Sequence, residues 1–426
     1  MPGDKSISHR ALIFAAFAKG TCRIEGLSPA ADCVSTADCL TSLGLQIKRP
    51  PHSPGTAIVT SPGLDGLHEP RKSLDCGNSG TTMRLLAGLC AGRPFTSKFQ
   101  GDPSLSKRPM LRVLDPLGQM GAKIEYKDET GLAPFQIKGG NLSGRDFALT
   151  VPSAQVQTAL LLAGLQASGK TKVILPSIVR DHTQRMFQSV RIPYSINGGL
   201  SITVKKLEAP LEPFEVTVPA DISSSAFFMV AAALLPESDV LLTDVGVNPG
   251  RTLVIEVLKR MGADITVEHR GQDAGEPIAD VRVKWNGRLK GATVGGDEIA
   301  TGIDEIPILA LAGCFCDGEF VVKNAGELRH KESDRLKAIV VNLSLAGANI
   351  REKEDGFVIQ GQASIAGGSQ WGTHNDHRLA MSGYIASLVF DQPVSIEEKD
   401  SIAISYPGFA ADLDWLTKGE VSMSTD

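Results

Sequence analysis

The chain repeats one pattern six times: an apolar run typical of a helix, a tight turn, a short run of β-forming residues and a polar loop. The apolar runs begin at Leu12, Leu85, Leu160, Met229, Ile308 and Tyr384. A spacing of roughly 70 to 80 residues is longer than a solenoid repeat and suits a small βαβαββ unit. The pattern predicts an α/β (α+β) fold of six such units in two domains, residues 4–219 and 220–426, with residues 1–3 as a truncated crossing.

A second pattern supports the repeat. Four amphipathic segments typical of a helix end in a glycine that precedes a β-type run, as expected of a C′ glycine: Gly44, Gly121, Gly262 and Gly347. Turns at Asp355-Gly356 and at Gly131 predict that the strands that follow pair as hairpins in two of the repeats. The third repeat departs from the pattern over residues 189–204, so no hairpin is assigned there.

The segment that opens each repeat helix favours anion binding. Each opening supplies Ser, Asp, Asn or Thr, which cap exposed backbone N–H groups, and a helix N-terminus carries partial positive charge. Cationic side chains also occur in three openings: Lys5, Arg10, Arg84 and Arg378. If the repeats are equivalent, these ends point the same way within each domain. We therefore expect an active site in an interdomain cleft that holds phosphate and carboxylate groups.

Composition excludes several classes of protein. A net charge of −5 over 426 residues and a pI near 6.0 argue against a nucleic-acid-binding protein. Seven cysteines without a CxxC pair indicate reduced thiols and a cytoplasmic protein, with Cys314 and Cys316 in the core and no metal site. The basic and apolar N-terminus resembles a signal peptide, but its apolar run recurs internally, so we interpret it as the first repeat helix. No apolar run is long enough to span a membrane.

Acidic and basic side chains are concentrated in three segments of the second half. Residues 327–335 read ELRHKESDR, Asp304 opens one repeat helix, and Asp376-His377-Arg378 opens another. A carboxylate near Lys and Arg stays ionised and can act as a base, while a second carboxyl group can act as an acid. The alternative is that residues 327–335 form a solvated helix start and that the acids are only helix caps.

Long motifs along the chain resemble those of the 5-enolpyruvylshikimate-3-phosphate (EPSP) synthase family. In family order they are PGDKSISHR from Pro2, DCGNSGTTMRLLAG from Asp75, GDPSLSKRPM from Gly101, VPSAQVQTALLLAG from Val151, RDHT from Arg180, HKESDR from His330 and NDHRLAM from Asn375. The resemblance implies a two-domain inverted α/β barrel-like fold of the enolpyruvyl transferase type. It also implies transfer of the carboxyvinyl group of phosphoenolpyruvate to shikimate 3-phosphate, in aromatic amino-acid biosynthesis, by a monomer without a cofactor.

The same motifs imply roles for individual residues. The catalytic residues would be Asp304 as base, Glu332 as acid, Lys5 and His377. Shikimate 3-phosphate would contact Lys5, Ser6, Arg10, Ser153, Ala154, Gln155, Ser177, Arg180, Asp304 and Lys331. Phosphoenolpyruvate would contact Lys5, Asn78, Gly80, Arg108, Gln155, Arg335 and Arg378, with Arg84 shaping the loop beside them. A glycine at position 80 also implies room for the inhibitor glyphosate.

The sequence departs from the family pattern at three places. The family has a strand before the PGDKS motif, whereas this motif begins at Pro2, and Ala154 and Ile404 replace a frequent Ser and a Lys of some members. Two other functions are alternatives for a chain with these motifs. A UDP-N-acetylglucosamine carboxyvinyltransferase would carry a reactive Cys in a glycine-rich loop and a Lys-Asn pair near the start, and neither motif is present. A catalytically silent, anion-binding relative is the second alternative.

Overall fold

The computed structural model describes residues 1–126 and 130–417, which form two compact units. The N-terminal unit consists of Gly3–Pro219 and Gln272–Glu276. The C-terminal unit consists of Met1–Pro2, Ala220–Gly271 and the chain from Pro277 onward. Each unit has its own hydrophobic core.

The helices of both units include all those that the repeat predicts. Those of the N-terminal unit are α1 (Lys5–Ala15), α2 (Ala31–Ser42), α3 (Gly80–Ala91), α4 (Leu111–Met120), α5 (Ala154–Gly164) and α6 (His182–Ser189). Those of the C-terminal unit are α7 (Ile222–Leu234), α8 (Leu253–Arg260), α9 (Ile299–Gly302), α10 (Ile306–Cys314), α11 (Arg335–Leu345), α12 (His377–Val389) and α13 (Phe409–Leu416).

Strands follow these helices as short runs. Those before Ala220 are β1 (Lys19–Glu25), β2 (Gln46–Lys48), β3 (Ala57–Pro62), β4 (Leu74–Asp75), β5 (Thr96–Gln100), β6 (Lys123–Tyr126), β7 (Phe135–Lys138), β8 (Asp146–Ala148), β9 (Lys170–Ile174), β10 (Tyr194–Asn197), β11 (Ser201–Lys205) and β12 (Glu215–Thr217). The others are β13 (Asp239–Gly246), β14 (Asp264–Asp273), β15 (Glu276–Lys284), β16 (Thr293–Val294), β17 (Glu319–Val322), β18 (Asn349–Lys353), β19 (Gly356–Gln360), β20 (Gln370–Trp371) and β21 (Ser395–Ile396).

Four sheets share one plan, which confirms the repeat. Their strand orders are β12-β1-β3-β2, β4-β5-β7-β6, β8-β9-β11-β10 and β16-β17-β19-β18. In each, the first pair is parallel and the other two pairs are antiparallel. Within the described chain, the fourth repeat has the three-stranded sheet β13-β15-β14 and the sixth has only the parallel pair β20-β21. The α/β fold class is therefore confirmed.

The first helix of each repeat is buried, because its apolar residues cover the whole helix surface. In α7, every residue from Ile222 to Ala233 is buried, and all of α10 is buried. The second helices α4 and α8 instead bury one face. Such a helix fits a position against the outside of a core, whereas an all-apolar helix fits only its interior. The basic N-terminal segment belongs to this buried class, since Ala11 to Ala18 are fully buried.

The four predicted C′ glycines are confirmed. Gly44, Gly121, Gly262 and Gly347 follow α2, α4, α8 and α11 with φ between 91° and 117°, a conformation that is costly for other residues. In the third repeat, Arg191 takes a positive φ of 59° after α6. The missing glycine explains why the pattern could not be recognised there.

The sequence assigned no hairpin to the third repeat and misplaced one turn. The third repeat does contain one, because β10 and β11 pair antiparallel around Gly198 and Gly199, whose φ values are 61° and 71°. The predicted Asp355-Gly356 turn lies one residue earlier, since Lys353 pairs with Gly356. Gly356 is required for another reason: a Cβ there would lie 2.0 Å from the Val322 carbonyl oxygen.

The cysteines lie in the two cores. All seven are free and buried, including Cys314 and Cys316. Burial raises the pKa of the Cys90 thiol to about 12, which keeps it protonated and unreactive at neutral pH. In the part of the chain that the structure describes, no helix combines the length and apolar character needed to cross a bilayer.

Candidate active site

In the N-terminal unit, side chains cap the helices that carry the predicted binding motifs. Asp4 accepts from the Ile7 amide at 2.9 Å at the start of α1. Ser79 and Ser153 do the same for α3 and α5, at 3.0 and 3.3 Å. Ser153 is thus a helix cap, while Ala154 is the first residue of α5. Capping satisfies only part of each first turn, so these ends can still accept an anion.

Lys5, in the first turn of α1, forms an ion pair with Asp32 in α2. The Nζ to Oδ2 distance is 2.8 Å, and the two side chains are 19% and 10% exposed. A mostly buried lysine is costly to fold unless such a partner is present. The pair fixes the direction in which the cation points.

A chain of hydroxyl groups connects the starts of α1, α2 and α3. His9 Nδ1 lies 2.7 Å from Thr36 Oγ1, Thr36 lies 2.6 Å from Thr82, and Thr82 donates to Ser79 at 2.7 Å. Burial lowers the pKa of His9 well below its ordinary value, with further lowering by Lys5 and Arg10. His9 is therefore neutral, and the chain joins three helix ends without adding charge.

Arg10 connects α1 to two other helices and is only 3% exposed. Its Nε donates to Thr183 at 2.9 Å, Nη2 donates to Thr158 at 3.1 Å, and Nη1 donates to the carbonyl of Ser6 at 2.9 Å. The guanidinium thus supports the framework of the unit. Its contact with a substrate stays a prediction.

The starts of α3 and α5 are joined by amide and guanidinium groups. Arg84 Nη1 donates to Gln155 Oε1 at 2.6 Å, and Gln155 Nε2 donates to Thr81 at 2.8 Å. Gly80 lies beside two guanidinium groups: a Cβ there would lie 2.6 Å from Arg84 Nη1 and 3.6 Å from Arg108 Nη1. A side chain at position 80 would therefore enter the space next to the cations.

Arg108 is oriented by the loop that precedes α3. Its Nη2 donates to Asn78 Oδ1 at 2.8 Å and to Ser104 at 3.3 Å. Asn78 in turn donates to Asp102 at 2.7 Å. Ser177 and Arg180 are half-buried in the segment between β9 and α6. The predicted residues that precede Ala220 thus lie in the first two turns of a helix or in a loop beside one.

Asp304 occupies a different position from that expected of a cap. It lies in a 3-10 turn, Ile303–Glu305, that leads into α10, and the N-cap of α10 is Glu305, whose side chain makes no cap hydrogen bond. The expectation that the sixfold pattern places a capping side chain at each helix is therefore wrong for this repeat. Asp304 Oδ1 instead lies 3.1 Å from Arg335 Nη1 and 3.3 Å from Lys331 Nζ. The carboxylate is 15% exposed and held between two cations.

Three carboxylates surround the buried guanidinium of Arg335. Nη2 donates to Glu332 Oε2 at 2.6 Å and Nε donates to Asp376 Oδ2 at 2.7 Å, in addition to the Asp304 contact. Burial alone would lower the pKa of Arg335, but the three carboxylates outweigh this and raise it. Arg335 is thus permanently charged, and it places the predicted base and the predicted acid on the same group.

Arg378 and His377 lie in the first turn of α12, which Asp376 caps by accepting from the Arg378 amide at 2.9 Å. Arg378 Nη1 donates to the Asp304 carbonyl oxygen at 3.1 Å. Its side chain is 11% exposed and lies 3.6 Å from Glu305 Oε1. His377 is 2% exposed. The structure therefore brings together Asp304, Lys331, Glu332, Arg335 and Arg378, which the sequence places in three segments.

Side chains suited to metal binding are not clustered. Over residues 1–126 and 130–417, no group of three or more His, Cys, Asp or Glu is arranged to hold a metal ion. Carboxylates near the predicted site residues are instead paired with Lys or Arg, as Asp32 is with Lys5 and Asp304 is with Arg335.

A comparison with known families assigns the chain to one of them. The family model for EPSP synthase (3-phosphoshikimate 1-carboxyvinyltransferase) matches residues 1–413. The chain belongs to the EPSP synthase family. The resemblance given by the sequence motifs is therefore confirmed.

Relatives of the family match this chain over nearly its whole length. The 3-phosphoshikimate 1-carboxyvinyltransferase of Bacillus licheniformis is 44% identical over 416 residues, 96% of this chain and 94% of the relative. That of Parasynechococcus marenigrum is 46% identical over 419 residues, 98% of this chain and 94% of the relative.

Solved structures show the same fold. EPSP synthase from Acinetobacter baumannii superposes with a TM-score of 0.87 at 41% identity, covering 97% of this chain and 94% of that one. The enolpyruvyl transferase NikO from Streptomyces tendae superposes with a TM-score of 0.78 at 18% identity, covering 98% of this chain and 93% of that one. The second likeness shows only that the fold is shared.

Sequence reasoning missed the partners that hold the predicted residues in place. Asp32 orients Lys5, Thr183 and Thr158 hold Arg10, and Glu305 lies beside Arg378. Asp32 and Glu305 lie outside the quoted motifs, whereas Thr158 and Thr183 lie within VPSAQVQT and RDHT without having been assigned a role. The one signal available was that buried cations need partners.

Proposed function

We propose that this protein transfers the carboxyvinyl group of phosphoenolpyruvate to the 5-hydroxyl of shikimate 3-phosphate and releases inorganic phosphate. The convergence of Asp304 and Glu332 on Arg335, in a member of this family, is the observation that carries the proposal. Relatives more than 40% identical over nearly the whole chain are named 3-phosphoshikimate 1-carboxyvinyltransferase. Transferase activity of this kind belongs to aromatic amino-acid biosynthesis.

Proton transfer is assigned to the two carboxyl groups. Asp304 takes the proton of the 5-hydroxyl as that oxygen forms a bond to C2 of phosphoenolpyruvate, and Glu332 gives a proton to the methylene carbon C3. The product of this step is a tetrahedral intermediate. The intermediate then loses phosphate from C2 and a proton from the methyl carbon, which restores the double bond. Lys5 and His377 are proposed to stabilise the charge that develops.

Substrate binding is assigned to the cationic clusters and helix starts. Phosphoenolpyruvate would contact Lys5, Asn78, Gly80, Arg108, Gln155, Arg335 and Arg378. Shikimate 3-phosphate would contact Lys5, Ser6, Arg10, Ser153, Ala154, Gln155, Ser177, Arg180, Asp304 and Lys331. Guanidinium groups and helix N-termini are the usual ligands of phosphate and carboxylate in proteins. We further propose a cytoplasmic monomer that glyphosate inhibits.

Phosphate release tests the proposed function. We expect phosphate to appear only when shikimate 3-phosphate and phosphoenolpyruvate are both present. Phosphoenolpyruvate with UDP-N-acetylglucosamine is the control acceptor, and it should give none. Phosphate release with the control acceptor, or none with shikimate 3-phosphate, would contradict the proposal.

Glyphosate inhibition tests the place of Gly80. We expect Gly80→Ala to raise the inhibition constant for glyphosate by about tenfold or more, and to raise the KM for phosphoenolpyruvate less. A packed pocket resists one added methyl by roughly 1 to 3 kcal/mol, and the longer ligand meets that methyl first. Steady-state inhibition kinetics measure both constants.

Gly118→Ala is the matched control for that experiment. A Cβ at Gly118 in α4 would meet only Ile124 Cδ1, at 3.9 Å, so both constants should stay unchanged. An unsubstituted enzyme that tolerates millimolar glyphosate would show that another residue narrows the pocket.

A further inference from the structure

Three buried polar residues of the C-terminal unit have no role in the proposed reaction. They are Ser223 in the first turn of α7, Arg251 just before α8, and Glu305 at the start of α10. Their residue exposures are 3%, 3% and 0%. Burying an arginine and a glutamate costs free energy unless their charges and hydrogen bonds are satisfied, so their position calls for an explanation.

One carboxylate oxygen of Glu305, Oε1, connects the cluster formed by Ser223, Arg251 and Glu305. Ser223 Oγ donates to Glu305 Oε1, and Arg251 Nη2 donates to Ser223 Oγ. Arg251 Nη2 also lies 3.9 Å from the same Oε1 and 3.8 Å from Asp221 Oδ1. The hydroxyl of Ser223 is therefore a bridge between the buried cation and the buried anion.

The cluster extends to Arg378 through the same oxygen. Glu305 Oε1 lies 3.6 Å from Arg378 Nη1, which also donates to the carbonyl of Asp304 at 3.1 Å. Both acceptors belong to the turn Ile303–Glu305. Whatever holds this turn in place also fixes the position of the Arg378 guanidinium.

The charges explain why a second arginine is needed. A buried Glu305 paired with Arg378 alone would use the positive charge of Arg378 and weaken its attraction for an anion. Arg251, whose Nη2 lies 3.9 Å from the same oxygen of Glu305, supplies a second positive charge. Arg378 is then left with a loose contact to Glu305, which can orient the guanidinium while its charge remains available to a ligand.

We infer that Ser223, Arg251 and Glu305 are positioning residues that hold Arg378 for the carboxylate or phosphate of phosphoenolpyruvate. This inference rests on the proposed function and deepens it. The three residues act through Arg378 and touch no substrate. They consequently affect the binding of phosphoenolpyruvate more strongly than the binding of shikimate 3-phosphate.

Removing the bridging hydroxyl tests this role. Ser223→Ala is expected to raise the KM for phosphoenolpyruvate about tenfold. Alanine lacks the hydroxyl that bridges Arg251 and Glu305, and its loss loosens the turn Ile303–Glu305. The KM for shikimate 3-phosphate should rise less, because Asp304 in the same turn is also held by Lys331 and Arg335. Ser224→Ala is the matched control, since Ser224 is also buried in the first turn of α7, at 4% exposure, and should change neither constant.

A double-mutant cycle separates positioning from a general loss of stability. In an Arg378→Lys background, Ser223→Ala should raise the KM for phosphoenolpyruvate less than twofold further. The guanidinium through which Ser223 acts has then already been removed. Arg251→Lys should show the same dependence on Arg378. Effects of Ser223→Ala and Arg378→Lys that multiply, or an unchanged KM in Ser223→Ala, would overturn the inference.

Activity of the unsubstituted enzyme distinguishes a failure of the positioning role from a failure of the proposed function. If it releases phosphate from the two substrates and the cycle shows independent effects, only the positioning role fails. If it releases no phosphate, the proposed function fails and the positioning role fails with it. Thermal unfolding of each variant should give similar midpoints for Ser223→Ala and Ser224→Ala.

Discussion

Turnover of the Asp304→Asn variant is expected to fall by about 10² or more, the usual contribution of a positioned general base. Asparagine keeps the shape of the side chain but cannot accept the 5-hydroxyl proton. Asp304 lies 3.1 Å from Arg335 and 3.3 Å from Lys331, and its carboxylate is partly exposed. Steady-state kinetics should show a reduced kcat, and calorimetry should show that both substrates still bind.

Asp334→Asn is the control for this change. Asp334 lies in the same charged segment, caps α11 by accepting from Lys337 and pairs with Arg329 at 3.2 Å. Asparagine is also a good helix cap, so kcat should be nearly unchanged. Near-normal turnover of Asp304→Asn would reject Asp304 as the base.

The Glu332→Gln variant should lose a comparable factor in kcat, together with one isotopic signature. If Glu332 gives the proton to C3, the unsubstituted enzyme in deuterated water should place deuterium in phosphoenolpyruvate when the first step reverses. Glutamine has no carboxyl proton to give. Proton NMR of recovered phosphoenolpyruvate should therefore show exchange with the unsubstituted enzyme and almost none with the variant.

Glu327→Gln is the matched control, because Glu327 is an exposed glutamate of the preceding 3-10 segment, Gly326–His330. It should exchange deuterium at the normal rate. Undiminished exchange in Glu332→Gln would move the acid role to another residue.

Local features of the fold could be predicted from the sequence because neighbouring residues determine them. The glycines after α2, α4, α8 and α11 take positive φ, and Asp4, Ser79 and Asp376 cap their helices. Each depends on backbone within a few residues. The Asp355-Gly356 turn was misplaced because Gly356 is needed to approach β17, a contact with Val322 that the turn itself does not reveal.

Contacts that orient the candidate site could not be predicted, because they join distant segments. Arg10 bonds to Thr183, 173 residues away, and Glu305 bonds to Ser223, 82 residues away. The motifs indicate Asp304 as a site residue. Its pairing with Lys331 and Arg335 becomes visible only in the folded structure. The sequence thus indicates the site residues, whereas the residues that contact them are determined by the packing of the helices.

The chemical identity of the product tests the central claim most directly. Incubation of the enzyme with shikimate 3-phosphate and phosphoenolpyruvate, followed by proton and phosphorus NMR, should show one inorganic phosphate for each new carboxyvinyl ether on the 5-oxygen. The 3-phosphate of the acceptor should remain in place. Phosphate without the ether, or an ether on another acceptor only, would contradict carboxyvinyl transfer to shikimate 3-phosphate.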